Sequence, residues 1–216
     1  MLKADLHIHT EYSLDCNTPL DKIINRCLEI GINCIAIADH GTIEGALKMQ
    51  SIAPFPVIVA EEILTPHGEI MGMFLKNGVP SGLSVEQTIS QIKAQGGLIS
   101  IPHPFDILRK SALDSKIVEE LVAQIDILEV FNSRTILLRC SNKARTFAQK
   151  YSIPESAGSD AHTLHEIGHA YVEMPEFSGE EEFRLALAQG KIFGRMSCPL
   201  VHIPSTLTSL WKNLLK

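Results

Sequence analysis

The chain has 216 residues, 45% of them apolar and 20% charged, with a formal net charge of −6. This composition excludes a disordered or fibrous chain, and the acidic balance without a dense Lys/Arg tract excludes an extended nucleic-acid surface. The five cysteines, Cys16, Cys27, Cys34, Cys140 and Cys198, form no CxxC pair and are odd in number, so a secreted disulfide framework is not expected and a reducing cytoplasm is.

Short apolar runs alternate with helical patterns along the chain. Strands are expected at Ala4–Ile8, Cys34–Ala38, Val57–Ala60, Ile70–Leu75, Leu98–Ile101, Ile127–Val130 and Ala170–Met174. Helices are expected at Leu20–Ile30, Ile43–Ser51, Ser84–Gln95, Ser115–Ala123, Ile136–Tyr151 and Gly179–Ala188. Ser84 with Gln87 reads as a capping box, and Gly31 and Gly96-Gly97 sit where helices should stop. The tail Ser205–Lys216 carries Leu207, Leu210, Trp211, Leu214 and Leu215 at helical spacing, as a terminal helix docked on the body would. The amino-terminal residues lack the apolar stretch of a signal peptide, and no run approaches the ~18 apolar residues of a membrane span. Strand–helix alternation argues for βα units and a parallel sheet or barrel.

Polar residues gather where these strands end. His7 and His9 are two apart, so they share one face of a strand. His40, the Glu61-Glu62 pair and His103 each follow an apolar run, and Asp160 and His162 form a second pair two apart. In a barrel of parallel strands such positions meet at one mouth. Converging imidazoles and carboxylates suit Mn, Fe or Zn better than Mg, and they make a hydrolase the leading reading.

The ordered motifs DLHIHT, ADHGT, AEEI, IPHP and GSDAH, spread over residues 4–175, resemble the PHP family, named for its polymerase and histidinol phosphatase domains. The stretch Glu129-Val130-Phe131-Asn132-Ser133-Arg134 with Glu166-Ile167-Gly168 is similar to the short stand-alone members. The resemblance implies a distorted (β/α)7 TIM-like barrel over residues 1–204, with 205–216 a C-terminal helix on the same domain. It implies a phosphoesterase acting on small phosphate monoesters, nucleotide- or histidinol-phosphate-like, through a metal-bound hydroxide.

Two or three divalent ions are implied. His7, His9, Glu62 and Asp160 would hold the first, and Asp15, His40 and His162 the second. Glu62 would bridge to a third, shared with His103. No histidine lies between His103 and His162, where trinuclear members supply one; only Glu129 and Asn132 stand in that region, so two ions suffice for this reading. Asp160 and His162 are the expected catalytic ligands. Arg134 is expected to clamp phosphate, since a guanidinium matches its oxygens bidentately, with Asn132 and His169 beside the substrate and Arg109 as a second cation. Asp39 could orient His40.

His165-Glu166-Ile167-Gly168-His169 matches HExxH, but Gly168 and the strand pattern that follows leave no helix to hold it, so a zinc protease is not expected. His67 and His202 read as surface or loop residues. An exonuclease acting on nucleic-acid ends and a metal-binding module without turnover are the competing readings; the acidic composition weighs against the first.

Overall fold

The computed structural model describes residues 1–214. Its elements run β1 (Leu2–Ile8), α1 (Leu20–Ile30), β2 (Cys34–His40), α2 (Glu44–Ile52), β3 (Val57–Thr65), β4 (Gly68–Met73), α3 (Val85–Ala94), β5 (Leu98–Ile101), α4 (Ser115–Glu120), β6 (Ile127–Asn132), α5 (Leu138–Tyr151), β7 (Glu155–Gly158), β8 (Ala170–Met174), α6 (Gly179–Ala188), β9 (Lys191–Gly194) and, after a 3-10 turn at Pro199–Val201, α7 (His202–Leu214). Leu215, placed on the terminal helix from sequence, lies outside the described residues.

The strands form one sheet in the order β7-β6-β5-β4-β3-β2-β1-β8-β9. β1 to β3 are mutually parallel, as are β5 to β7, while β4 runs antiparallel to both neighbours. The two ends of the β7–β1 stretch then meet: Ile8 bridges Ala161, Asp160 N–H donates to His7 O at 2.8 Å and His9 N–H to Ala161 O at 3.0 Å. The result is a nearly closed, distorted seven-stranded barrel with β8 and β9 added as an antiparallel flap on the first half of β1.

Two expectations change here. Ala170–Met174 is a strand, but it belongs to the flap, pairing antiparallel with β1. The seventh barrel strand is Glu155–Gly158, whose Glu-Ser-Ala-Gly sequence carries no strand pattern and is held by pairing with β6. Gly158 is required there: a Cβ would collide with the Cβ and backbone N of His7, so only glycine lets β7 approach β1 and close the ring.

Alternate residues of each strand enter different cores, as the two-residue period demands. On β2, Ile35 and Ile37 pack among Leu20, Ile23, Cys27 and Met49 of α1 and α2. Cys34, Ala36 and Ala38 instead join Ala4, Leu6, Ile58, Ala60 and Met71 inside the barrel, with Phe183 of α6 in the same cluster. α1 forms because Leu20, Ile23 and Cys27 give it a buried stripe, and it stops at Gly31, whose φ of 76° is the left-handed value glycine adopts freely. The Ser84–Gln87 capping box opens α3.

The terminal helix departs from expectation in its orientation. Leu207, Leu210, Trp211 and Leu214 face solvent, and its contacts with the body are polar. Among the described residues, no helix is long and apolar enough to cross a membrane.

Candidate metal centre

The inward-facing positions of the barrel strands change character at the mouth. Cys34, Ala36 and Ala38 lead to His40 on β2, and Ile58 and Ala60 lead to Glu62 on β3. On β1 the register with β2 shifts between Asp5 and Ile8, and this irregularity brings His7 and His9 to the mouth where strict alternation from Ala4 and Leu6 would not. His103 follows β5 and Asp160 follows β7, both with positive φ, 33° and 53°, a backbone state that non-glycine residues hold only where the surroundings enforce it.

The polar side chains meet closely. His7 Nε2 and His9 Nε2 lie 3.2 Å apart; Glu62 Oε2 is 3.3 Å from the first and 3.4 Å from the second. Asp160 Oδ1 is 3.3 Å from His9 Nε2 and 3.8 Å from His7 Nε2. Beside this group, His162 Nε2 and His40 Nε2 lie 2.8 Å and 3.4 Å from Asp15 Oδ2, with His9 completing a second set. In a third set, His40 Nδ1 is 3.5 Å from both Glu62 Oε2 and Glu69 Oε1, and His103 Nε2 is 2.7 Å from Glu62 Oε1 and 3.5 Å from Glu69 Oε2. All eight ligand candidates read from sequence therefore share one cleft, together with Glu69.

Glu69 carried no signal as a ligand in the sequence because β4 is antiparallel. Its amino-terminal end, not its carboxyl-terminal end, reaches the mouth. Read backwards, Met73, Met71 and Glu69 repeat the pattern of β3: two residues inside the barrel, then a carboxylate. Glu69 fills the third set without a further histidine. Glu129 does not join it: Oε1 faces His7 Nδ1 at 3.1 Å, and Oε2 accepts from His103 N at 2.6 Å and Asn132 Nδ2 at 3.0 Å.

The electrostatics fit divalent ions. Asp160 Oδ1, Glu69 Oε2 and His103 Nδ1 are buried with no hydrogen-bond partner among the described residues, and the first two face the clustered imidazoles. Burial lifts the Glu69 carboxyl above its ordinary range, and the Glu62 charge adds to the lift. Burial opposes ionisation of Asp160 too, but Arg109 and His7 outweigh it and hold this carboxyl well below the usual range. Burial and the neighbouring His162 push His9 down to about 3, leaving the neutral imidazole that binds metals. Against burial, Glu62 and the neighbouring carboxylates push His7 well above its ordinary value and His40 up to about 10, so this mouth favours positive charge beyond Arg109 and Arg134.

The neighbours of the centre are fixed by hydrogen bonds. Asp39 accepts from Thr10 N and Thr10 Oγ1, both at 2.6 Å, and so ties β2 to the turn after His9 rather than bonding His40. Glu61 turns away from the centre and accepts from Val79 N at 2.8 Å. Asn132 donates to Asp160 Oδ2 at 3.2 Å, and Arg109 Nη2 to the same oxygen at 2.7 Å. A cavity of about 490 Å³ opens over the centre, walled by Asp15, His40, Glu69 and His162 and by Arg109 and Arg134.

Arg134 is more encumbered than expected. It is 4% exposed; Nη1 meets His162 Nδ1, Nη2 donates to Val201 O at 2.8 Å and Ser205 Oγ at 2.9 Å, and Nε lies 3.3 Å from Glu166 Oε1. His169 does not line the cavity; its Nδ1 pairs with Ser197 Oγ at 2.9 Å. His202, read as a surface or loop residue, opens α7, lines the cavity and places Nε2 3.3 Å from Arg134 O. The HExxH stretch forms turns rather than a helix, and Glu166 Oε2 accepts from the backbone N–H groups of His162 and Thr163 at 3.2 and 3.0 Å.

Comparison with known proteins agrees with this geometry. The PHP domain model matches residues 5–58, and the PHP-associated model matches residues 141–192. The chain belongs to the PHP family. It is 33% identical over 183 residues to the uncharacterized protein MJ0417 of Methanocaldococcus jannaschii, covering 83% of this chain and 73% of that one. It is 39% identical over 145 residues to MJ1587 of the same organism, also uncharacterized, covering 61% of this chain and 82% of the relative. The PHP fold is shared with a two-domain protein from Bacteroides vulgatus that contains a predicted PHP-like metal-dependent phosphoesterase. The TM-score is 0.71 at 14% identity, over 96% of this chain and 69% of that one. The first family match spans β1 to the start of β3, and thus His7, His9, Asp15 and His40; the second lies over α5 to β9 and takes in Asp160 and His162.

Proposed function

We propose that this PHP protein is a metal-dependent hydrolase of phosphate esters whose substrates are small phosphorylated molecules, nucleotide- or histidinol-phosphate-like monoesters. The observation that carries the reading is the meeting of five imidazoles with Asp15, Glu62, Glu69 and Asp160 at one mouth, beneath a cavity that also holds a guanidinium.

His7, His9, Glu62 and Asp160 would hold one ion, Asp15, His40 and His162 a second, and Glu62, Glu69 and His103 a third. Mixed imidazole and carboxylate donors favour Mn, Fe or Zn. Divalent ions held there would supply charge neutralisation for phosphate oxygens and a water acidified to near neutral pH. The chain's own groups supply orientation. Arg109, hydrogen-bonded among the described residues only through Nη2, reaches the cavity wall beside Asp160 and would engage the dianionic phosphate. Asn132 and Arg109 both hold Asp160 Oδ2, which keeps Oδ1 directed at His7 and His9. Ile136 and Leu108 give the outer cavity an apolar rim suited to the body of a small leaving group. The net charge of −6 weighs against a nucleic-acid chain as substrate. The free thiols, four of them buried, favour a cytoplasmic setting.

A phosphate-release panel tests the reading: nucleoside monophosphates, histidinol phosphate and single-stranded oligonucleotides, each with protein loaded with Mn and with protein stripped by chelation. Phosphate release from small monoesters by the loaded protein alone is expected. Release of mononucleotides from oligonucleotide ends with inert monoesters would favour the exonuclease reading, and no release from any ester would remove the hydrolase reading.

A further inference from the structure

The C-terminal helix presents its polar side to the protein and its apolar side to solvent. Inward, Ser205 Oγ accepts from Arg134, Thr208 Oγ1 accepts from Asn17 Nδ2 at 3.2 Å, and Lys212 Nζ donates to the carbonyls of Glu11, Ser13 and Cys16 at 2.9, 2.8 and 2.7 Å. Outward stand Leu200, Ile203, Leu207, Leu210 and Leu214, which are 53–84% exposed. Leu200 stands in the 3-10 turn before the helix; the four on α7 are spaced four, three and four residues apart, the a/d repeat of a seam between two helices. Ser205 and Lys212, seven apart, fall at the position farthest from that seam, so the polar anchorage and the apolar stripe divide the helix cleanly.

The chemistry of the stripe selects its partner. Pro204, Thr206 and Trp211 flank it without charge, so no ionic pattern favours a different helix or repels an identical one. A membrane surface is a poor fit, because Lys212 is the only Lys or Arg in α7 and its ammonium is spent on inward carbonyls. With Trp211, itself 59% exposed, the stripe presents on the order of 500–600 Å² of apolar surface, and pairing two such faces buries roughly 1,000–1,200 Å², the threshold of a specific interface. The helix is already held against the body, so association does not also have to order it.

We propose that a second copy of this chain covers this face, with the two C-terminal helices packed on each other across a two-fold axis. The contact would brace the same helix that holds Arg134 and the loop carrying Asp15. It stands independently of the reaction assigned to the mouth.

Sedimentation of the full chain between about 1 and 100 µM tests it. A monomer–dimer equilibrium within that range is expected, and Leu207→Glu and Leu210→Glu should each weaken it at least ~100-fold, with circular dichroism and bound metal unchanged. A parent protein that remains monomeric throughout overturns the proposal, whether or not it binds phosphatidylcholine–phosphatidylserine vesicles. So does a dimer that both substitutions leave intact.

Discussion

Glu129 Oε1 lies 3.1 Å from His7 Nδ1, on the ring nitrogen opposite the one that faces His9 and Glu62. Its other oxygen holds the backbone N–H of His103 and the amide of Asn132. One buried carboxylate thus orients a candidate ligand on β1 and positions another after β5.

Glu129→Gln keeps the size of that side chain and removes its charge. A carboxylate behind a metal-binding imidazole fixes its orientation and raises its basicity, so the substitution should weaken Mn or Zn binding by about 10- to 100-fold. Titration against a competing chelator reads this directly. Parent-like affinity would mean that Glu129 does not position His7.

Asp160 offers one oxygen to Arg109 and Asn132 and the other, unpartnered, to the imidazoles. Asp160→Asn preserves shape but removes the anionic donor. Turnover should fall at least about 100-fold while circular dichroism stays unchanged. Unchanged turnover in a metal-replete variant would take Asp160 out of the mechanism.

The two arginines should separate by their surroundings. Arg134 is buried with all three guanidinium nitrogens against protein groups, so Arg134→Ala should cost stability, about 3 kcal/mol as for a broken buried pair, measured by denaturant unfolding. Arg109→Lys keeps charge but loses the fork; it should lower kcat/KM by roughly 30- to 1000-fold, about 2–4 kcal/mol, with smaller effect on stability. The reverse pattern would return the phosphate clamp to Arg134.

Most of this site could be read from residues because its ligands continue strand patterns. His40 and Glu62 are the next inward positions after apolar ones, and the i, i+2 pairs at His7 and Asp160 stand out in sequence. What escaped depends on pairing. Glu69 needs the direction of β4, which periodicity does not encode. β7 is four residues long and exists through its contacts with β6 and β1. α7 has the spacing of a docked helix, but the side that faces the body is decided by Ser205 and Lys212 finding carbonyl and guanidinium partners. His202 reaches the cavity only because of that docking.

Glu61 gives a prediction in pH. Burial pushes its carboxyl up to about 7, against the opposing bond from Val79 N–H. The folded state therefore holds a proton that the unfolded chain releases near its ordinary value of about 4.5. Stability from this group is present below that value and declines as pH rises to about 7. Glu61→Gln keeps an acceptor for Val79 N–H and should flatten the decline, raising Tm at pH 8 relative to the parent more than at pH 5. Parallel Tm profiles would show that Glu61 is not protonated in the folded state.

The central claim is that the histidines and carboxylates at this mouth form one multinuclear metal centre. Anomalous diffraction from crystals of the Mn-loaded protein measures it directly. At least two peaks are predicted, one among His7, His9, Glu62 and Asp160 and one among Asp15, His40 and His162, each about 2.0–2.4 Å from its donor atoms. A third peak beside Glu69 and His103 would fill the remaining set. Peaks elsewhere, or none at the mouth of a fully loaded crystal, would contradict the account.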